Sequence, residues 1–341
     1  MAAVTTTIGG RRPPSSLGRL ARSEEGVLLV VLALLVAIVA GQVPSAREAG
    51  TYLNLLREVS PNVIAAVGIA LLLLAGELDV SIGSMLAVTG VVTIAAFNWT
   101  GSMWFGILAG LLTGPLVGLL HGYLVTIERM NSLVTTLGTM FALRGLVYVA
   151  TNKTPVVDEQ GFSQFQALYQ GSIGPLPVPA VLALVVIALA HLVLTQTAFG
   201  REIYAIGGNE TAAQVSGIRV RRVKLLLFVV CSTMAAVAGL LIAAQTDTGY
   251  FDAGASGFEL LVIAAAVLGG VSLAGGEGRM TGALLGVLIL GMTDKGMRLM
   301  NIYTTWVLVV TGIVMMMAVY LHGVRKSSAR PRWLTRRRQR T

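Results

Sequence analysis

The sequence predicts an all-α fold, a polytopic membrane bundle of about ten transmembrane helices with both termini cytoplasmic. Three observations carry that expectation. Hydrophobic residues make up 55% of the 341 and charged residues only 12%, where a soluble domain carries roughly 25% charge. Apolar stretches of about 17–25 residues, the length that crosses a bilayer, recur along most of the chain. The Lys and Arg residues also fall on one side of the spans so defined, as the positive-inside rule requires.

The spans are read at about 26–43, 61–76, 81–97, 103–125, 133–150, 178–196, 223–245, 259–274, 280–293 and 303–321. With a cytoplasmic N-terminus, 19 of the 25 Lys and Arg lie inside: four before the first span, Arg129, five in the 197–224 loop, Arg279 and eight in the tail. The domain reading is a basic N-terminal segment (1–25), a transmembrane domain (26–322) that includes the cytoplasmic loop 197–224, and a basic tail (323–341). The formal charge of +9 is therefore read as a topology signal and an anchor on anionic membrane lipid, not as a nucleic-acid surface. Arg11, Arg12, Arg19 and Arg22 precede a first span that is long and followed by no A-x-A cleavage site, so it is expected to remain as a helix. The single cysteine, Cys231, permits no intrachain disulfide.

Between the second and third spans stands "AGELDVSIGSM" (75–85), with Glu77 and Asp79 at the end of an uncharged run. Charges deep in hydrocarbon are costly, and irregular backbone at that depth must be buried in protein or face water. A structural break, with the carboxylates wet or capping the next helix, and direct contact with a transported solute both fit. The fourth span places Gly106, Gly110, Gly114, Gly118 and Gly122 every fourth residue. That spacing clears one stripe for a neighbouring backbone, and it overshoots a helical turn by about 40° per step, so the stripe should wind around the helix. Pro115 should bend the same helix.

The loop at 151–179 interleaves Phe162, Phe165 and Tyr169 with polar residues, which suits either an amphipathic surface helix or a simple cap on the bundle. The inner loop, 197–224, contains a short helix with readable ends. Asn209 is a plausible N-cap, Glu210 favours the positive helix end, and Gly217 can terminate the helix in a left-handed conformation. Two turns are marginal alone, and the Ala-rich face suits a groove on another protein. Sliding the sequence by 199 positions lays 63–87 on 262–286, with "VIAA" and "LAG" shared, which suggests a parallel internal repeat.

A P-loop needs a Lys that follows its glycines, and none of the four lysines follows a glycine. No cofactor is expected on this chain. The three histidines show no metal-ligand spacing, and neither G-x-S-x-G nor H-E-x-x-H occurs, so an enzyme is not expected. Arg144 is the clearest charge within a span, and a structural pair or a place on the path both suit it. Neutral polar groups are commoner: Asn62, Thr89, His121, Thr135, Thr136, Thr139, Ser232, Thr233, Gln245 and Ser272. Together with Asp79, Ser81 and Arg144, Asn62, His121, Thr135, Thr139, Gln245 and Ser272 are candidates for a translocation path or for polar contacts within the bundle. Hydroxyls and amides suit a neutral, polyhydroxylated solute.

From "GELDVSIGSMLAVTG" onward the chain resembles the permease subunits of bacterial monosaccharide ABC importers of the ribose/xylose/galactose type. The likeness continues through "NSLVTTLGTMFALRGLVYVATNKTPV", "AFGREIYAIGGNETAAQVSGIRVRRVK" and "AAVLGGVSLAGGEGRMTGALLGVLIL", leaving out the first 25 residues and the tail. The resemblance implies two permeases (two copies or a homologous pair), two cytoplasmic ABC ATPases that bind ATP and Mg, and an extracytoplasmic sugar-binding protein. It also implies an ATPase-coupling element at Gly207, Asn209, Glu210, Ala212, Ala213, Ser216, Gly217 and Ile218, although Thr211 departs from the related Glu-Ala-Ala…Gly loop. The loops 151–179 and 246–259 become candidate docking surfaces for the binding protein. A branched-chain amino-acid or other small-solute ABC permease and a secondary carrier or channel stand as alternatives.

Overall fold

The computed structural model describes residues 24–302 and, beyond them, 306, 309–310, 312–313 and 316. The basic segment 1–23, most of the expected last span and the basic tail lie outside the described residues. The element order is α1 (Glu24–Gln42), a 3-10 turn (Pro44–Arg47), α2 (Ala49–Leu74), α3 (Ile82–Thr100), α4 (Met103–Thr126), α5 (Ser132–Thr151), β1 (Val156–Val157), α6 (Ser163–Gln170), β2 (Ser172–Ile173), β3 (Leu176–Pro177), α7 (Val178–Gln196), α8 (Ala198–Gly208), α9 (Glu210–Val215), α10 (Val220–Thr246), β4 (Thr248–Gly249), α11 (Phe258–Leu268) and α12 (Met280–Leu299). Seven of these, α1 to α5, α7 and α10, are long and apolar enough to cross a membrane. The protein is thus helical and multi-pass.

Burial sorts the spans into centre and perimeter. In α2, 78% of the most apolar window is buried, against 11% in α1 and 17% in α5. A helix apolar on all sides is stable only where protein or lipid surrounds it, and α2 is the one the protein surrounds. The helices α10, α7, α12 and α11 pack around it. The second span begins at Ala49 rather than near residue 61 and passes through Pro61 without interruption. The eighth expected span, 259–274, is an 11-residue helix, α11, followed by a break.

The glycine stripe of α4 is buried along its length and does wind. Gly106 and Gly110 lie against Phe97 and Thr93 of α3, while Gly114, Gly118 and Gly122 lie against Thr233, Val229 and Leu225 of α10. One stripe therefore joins α4 to two neighbours, and a Cβ at Gly114 or Gly118 would meet backbone atoms of α10.

At one end of the bundle the segment 151–177 folds into a cap. β1 pairs antiparallel with β4 (Val156↔Gly249, Val157↔Thr248), and β2 pairs with β3. Phe165 and Tyr169 of α6 are buried, and Phe97 meets Phe162 and Phe165 edge-on at 5.3 and 4.9 Å. The aromatic face of α6 is thus spent on the bundle, the simpler of the two sequence readings. α7 then spans about 28 Å at 1.5 Å per residue and delivers the chain to the opposite end, where α8 and α9 sit.

Two breaks separate paired helices: 75–81 between α2 and α3, and 269–279 between α11 and α12. Both open with the same turn. Gly76 (φ +79) lets Gly76 N–H donate to Leu73 and Glu77 N–H to Leu72, and Gly270 (φ +87) repeats the pattern onto Val267 and Ala266. This double bond at a left-handed residue satisfies carbonyls that a helix end would otherwise orphan. The helix starts at 82 and 280 lie 198 positions apart, close to the slide of 199, whereas the helix ends at 74 and 268 lie 194 apart. The breaks touch, with Gly276 N–H donating to the Leu74 carbonyl at 2.9 Å.

Candidate coupling and translocation site

The α8–α9 corner is built from local capping. Thr197 Oγ1 accepts from Gly200 N–H at 3.1 Å and so starts α8. Asn209 Oδ1 accepts from Ala212 N–H at 2.9 Å and starts α9, as its sequence position predicts. Gly217 (φ +88) ends it: Gly217 N–H reaches Gln214 O and Ile218 N–H reaches Ala213 O, both at 3.1 Å. Glycine is needed there because the left-handed conformation penalises a Cβ.

Of the eight residues expected to couple to a partner, six cluster on or beside α9 and reach the surface: Asn209, Glu210, Ala212, Ser216 and Gly217 are exposed, and Ile218 is partly so. The other two face inward. Ala213 is 4% exposed, so it seats α9 on the chain rather than offering a face to a partner. Gly207 lies with no room for a side chain against the Leu74 carbonyl at the end of α2 and the Gly276 amide of the second break. Sequence reasoning passed over Val215, which is 85% exposed at the end of α9, although an exposed valine beside a capped polar helix is a signal for a contact surface.

Behind α9, the Lys224 ammonium donates to Glu77 Oε1 at 2.6 Å and to Glu210 Oε2 at 2.7 Å. These three line a cavity of about 580 Å³ together with Gly76, Arg129 and Arg221. Tyr204 of α8 donates its hydroxyl to the Gly278 carbonyl at 2.8 Å, tying α8 to the second break. Burial holds that phenol above its usual range, so it stays a donor at neutral pH.

The first break leads into the polar centre of the bundle. Asp79, Ser81, His121 and Ser232 are all fully buried. Asp79 Oδ1 accepts from the Ser81 amide (2.8 Å) and hydroxyl (2.7 Å), and Oδ2 accepts from Ser232 Oγ at 3.4 Å. His121 Nδ1 stands 3.4 Å from Oδ2, and neither of its ring nitrogens finds a hydrogen bond among the described residues. Asp79 is therefore enclosed, with its carboxylate hydrogen-bonded within the first break and to α10.

The remaining polar candidates do not converge on this point. Thr135 and Thr139 return their hydroxyls to carbonyls one turn back, at 2.9 Å each. Ser272 caps its own turn by accepting from Ala274 N–H, Gln245 is exposed near the capped end, and Asn62 is half-buried in α2. Arg144 Nη1 donates to the Ala253 carbonyl at 3.0 Å, so it holds the 250–257 loop against α5. Among the described residues, no group of three or more His, Cys, Asp or Glu could hold a metal ion.

A protein-family model described as "Branched-chain amino acid transport system / permease component" matches residues 51–319. The chain belongs to this permease family. It is 36% identical to the ribose import permease of Escherichia coli K12 over 92% of this chain and 97% of that protein. It is 38% identical to the ribose import permease of Bacillus subtilis 168 over 87% and 92%. It is also 36% identical to the L-arabinose transport system permease of E. coli K12 over 97% and 99%. No solved structure matches it. The matched region takes in both breaks and the α8–α9 corner, so this permease keeps those parts within the shared family region.

Proposed function

We propose that this chain is the membrane-spanning subunit of an ATP-driven importer for a monosaccharide of the pentose class. The observation that carries this reading is the likeness to ribose and arabinose permeases across nearly the whole of both chains. The family description also names amino-acid transport, but the relatives cited act on sugars. Cytoplasmic ATPases supply the energy, an extracytoplasmic binding protein delivers the sugar, and a second permease completes the path. In this reading the α8–α9 corner and both termini face the cytoplasm, the cap end faces outward, and α11, α12 and the 303–321 segment complete a ten-span bundle with parallel halves.

The Mechanism of energy transfer follows from the exposed face of α9. A six-residue helix has little stability of its own, so its caps and Ala213 hold it on the bundle while Val215 and Ala212 meet the ATPase. ATP-driven closure of the ATPases moves α9, the breaks it rests on shift, and the bundle exchanges outward and inward openings. Substituting Val215 with Arg should abolish co-purification of the ATPase and lower uptake on the order of a hundredfold, the scale of losing a central interface contact. The permease level in the membrane should stay unchanged, because this side chain touches solvent. Normal ATPase recovery with V215R would overturn the docking assignment. The substrate class is tested by thermal shift of the cognate binding protein with D-ribose, L-arabinose and L-leucine. Stabilisation by a pentose supports the reading, and stabilisation by leucine alone contradicts it.

A further inference from the structure

Lys224 sits where three separate pieces of chain meet. It lies in the second turn of α10, Glu77 belongs to the first break, and Glu210 is the first residue of α9. Its ammonium bonds both carboxylates at 2.6 and 2.7 Å, although the two acids are 133 positions apart (210 − 77). The two contacts are unequal. The Lys224 and Glu77 side chains are 10% and 12% exposed, whereas Glu210 is 55% exposed.

That asymmetry has a physical consequence. A largely buried pair is costly to break, because each partner would be left uncompensated. An exposed carboxylate can leave for water at small cost. If α9 moves away from the bundle, Lys224 keeps Glu77 and stays neutralised. If α9 is pressed back, Glu210 re-engages and adds a second negative charge to the same ammonium. The position of α9 therefore changes how strongly Lys224 holds Glu77, and Glu77 is two residues from Asp79 and its buried pair with His121.

We infer that Lys224 is a positioning residue that relays movement of α9 to the 75–81 break through Glu77. The Gly207 contact with Leu74 and Gly276 gives the corner a fulcrum on the same backbone. The cavity beside the cluster gives α9 room to shift. This inference rests on the reading of α9 as the ATPase-coupling helix.

The test uses the complete transporter, permease with its ATPase and binding protein in vesicles, with radiolabelled D-ribose or L-arabinose as the transport probe. Four quantities are read for each variant: permease level, ATPase co-purification, ATP hydrolysis and sugar moved per ATP. Glu77→Gln keeps the shape of the site and leaves Lys224 paired with Glu210, so folding should survive. It should retain the ATPase and hydrolyse ATP, while sugar moved per ATP falls on the order of tenfold, within the range of known coupling free energies. Glu77→Asp should restore part of the loss. Lys224→Met should show at least the same loss where it reaches the membrane.

An unchanged ratio in Glu77→Gln would overturn the relay, and so would a fall that simply tracks loss of ATPase co-purification, since a merely structural cluster would do that. The docking assignment itself fails separately, through V215R. If that variant still recovers the ATPase, α9 is not the docking helix whatever Glu77→Gln does.

Discussion

Replacing Gly118 with Val should sharply lower the amount of folded permease in the membrane, whereas Gly41→Ala should leave its level unchanged. At Gly118 an added Cβ would lie 2.5 Å from the Val229 Cα and 2.7 Å from the Phe228 carbonyl, all backbone of α10. Backbone cannot swing aside as a side-chain tip can, so α4 and α10 must separate. Overpacking of this kind costs about 1–3 kcal/mol, occasionally more, and here the larger branched side chain would act on the most extensive helix pair in the bundle. Native proteins hold only about 5–15 kcal/mol in reserve. Among the described residues nothing lies within 4 Å of an atom added at Gly41, and alanine is the better helix former. Detergent-extracted permease, quantified by fluorescence-detected size exclusion, distinguishes the two. A monodisperse, normally abundant G118V protein would show that the close approach of α4 and α10 does not hold the bundle together.

Removing the buried carboxylate at Asp79 is the second large effect. Asp79→Ala strands the Ser81 amide and hydroxyl and the Ser232 hydroxyl in a site with no solvent access. Each unsatisfied buried polar group costs about 1–3 kcal/mol, so the total is several kcal/mol and uptake should be lost. Asp79→Asn keeps an acceptor for Ser81 and should melt between the two. The check is thermal unfolding of the purified permease in detergent for wild type, D79N and D79A. Equal stability of D79A and wild type would mean that Asp79 does not organise the break.

These two predictions also mark what was legible in the sequence. The glycine stripe was readable because its cause is local: a four-residue spacing on a helix dictates both closeness and winding, and the structure places its two ends on two different helices. The ends of α9 were readable for the same reason, since Asn209 and Gly217 act on backbone groups within a few residues. The Asp79 cluster was not assembled from sequence. Ser232 lies 153 positions away, and nothing in a window around Asp79 names it.

The start of α2 was missed for a related reason. The span expected from residue 61 leaves out Arg57 and Glu58, and an unpaired charge is costly inside a span. In the fold Glu58 accepts from Lys295 at 2.6 Å and Arg298 at 3.0 Å, both from α12, and Arg57 donates to Asn54 and to the Gln170 carbonyl. The charges are spent inside the protein, so the helix continues through them. The orientation of Ala213 was likewise beyond a composition argument: an Ala-rich helix has a face for its own bundle and a face for a partner, and only the packing says which alanine belongs to which.

In the proposed mechanism this permease moves solute only with energy received through α9. The most direct measurement is uptake of radiolabelled D-ribose and L-arabinose, with the cognate binding protein outside and the ATPase and ATP inside, into vesicles that hold the permease. Uptake of one of these sugars should require ATP and the ATPase, persist in the presence of a protonophore, and disappear with V215R. Uptake by the permease alone that collapses on adding the protonophore would contradict it and place the driving force in an ion gradient instead.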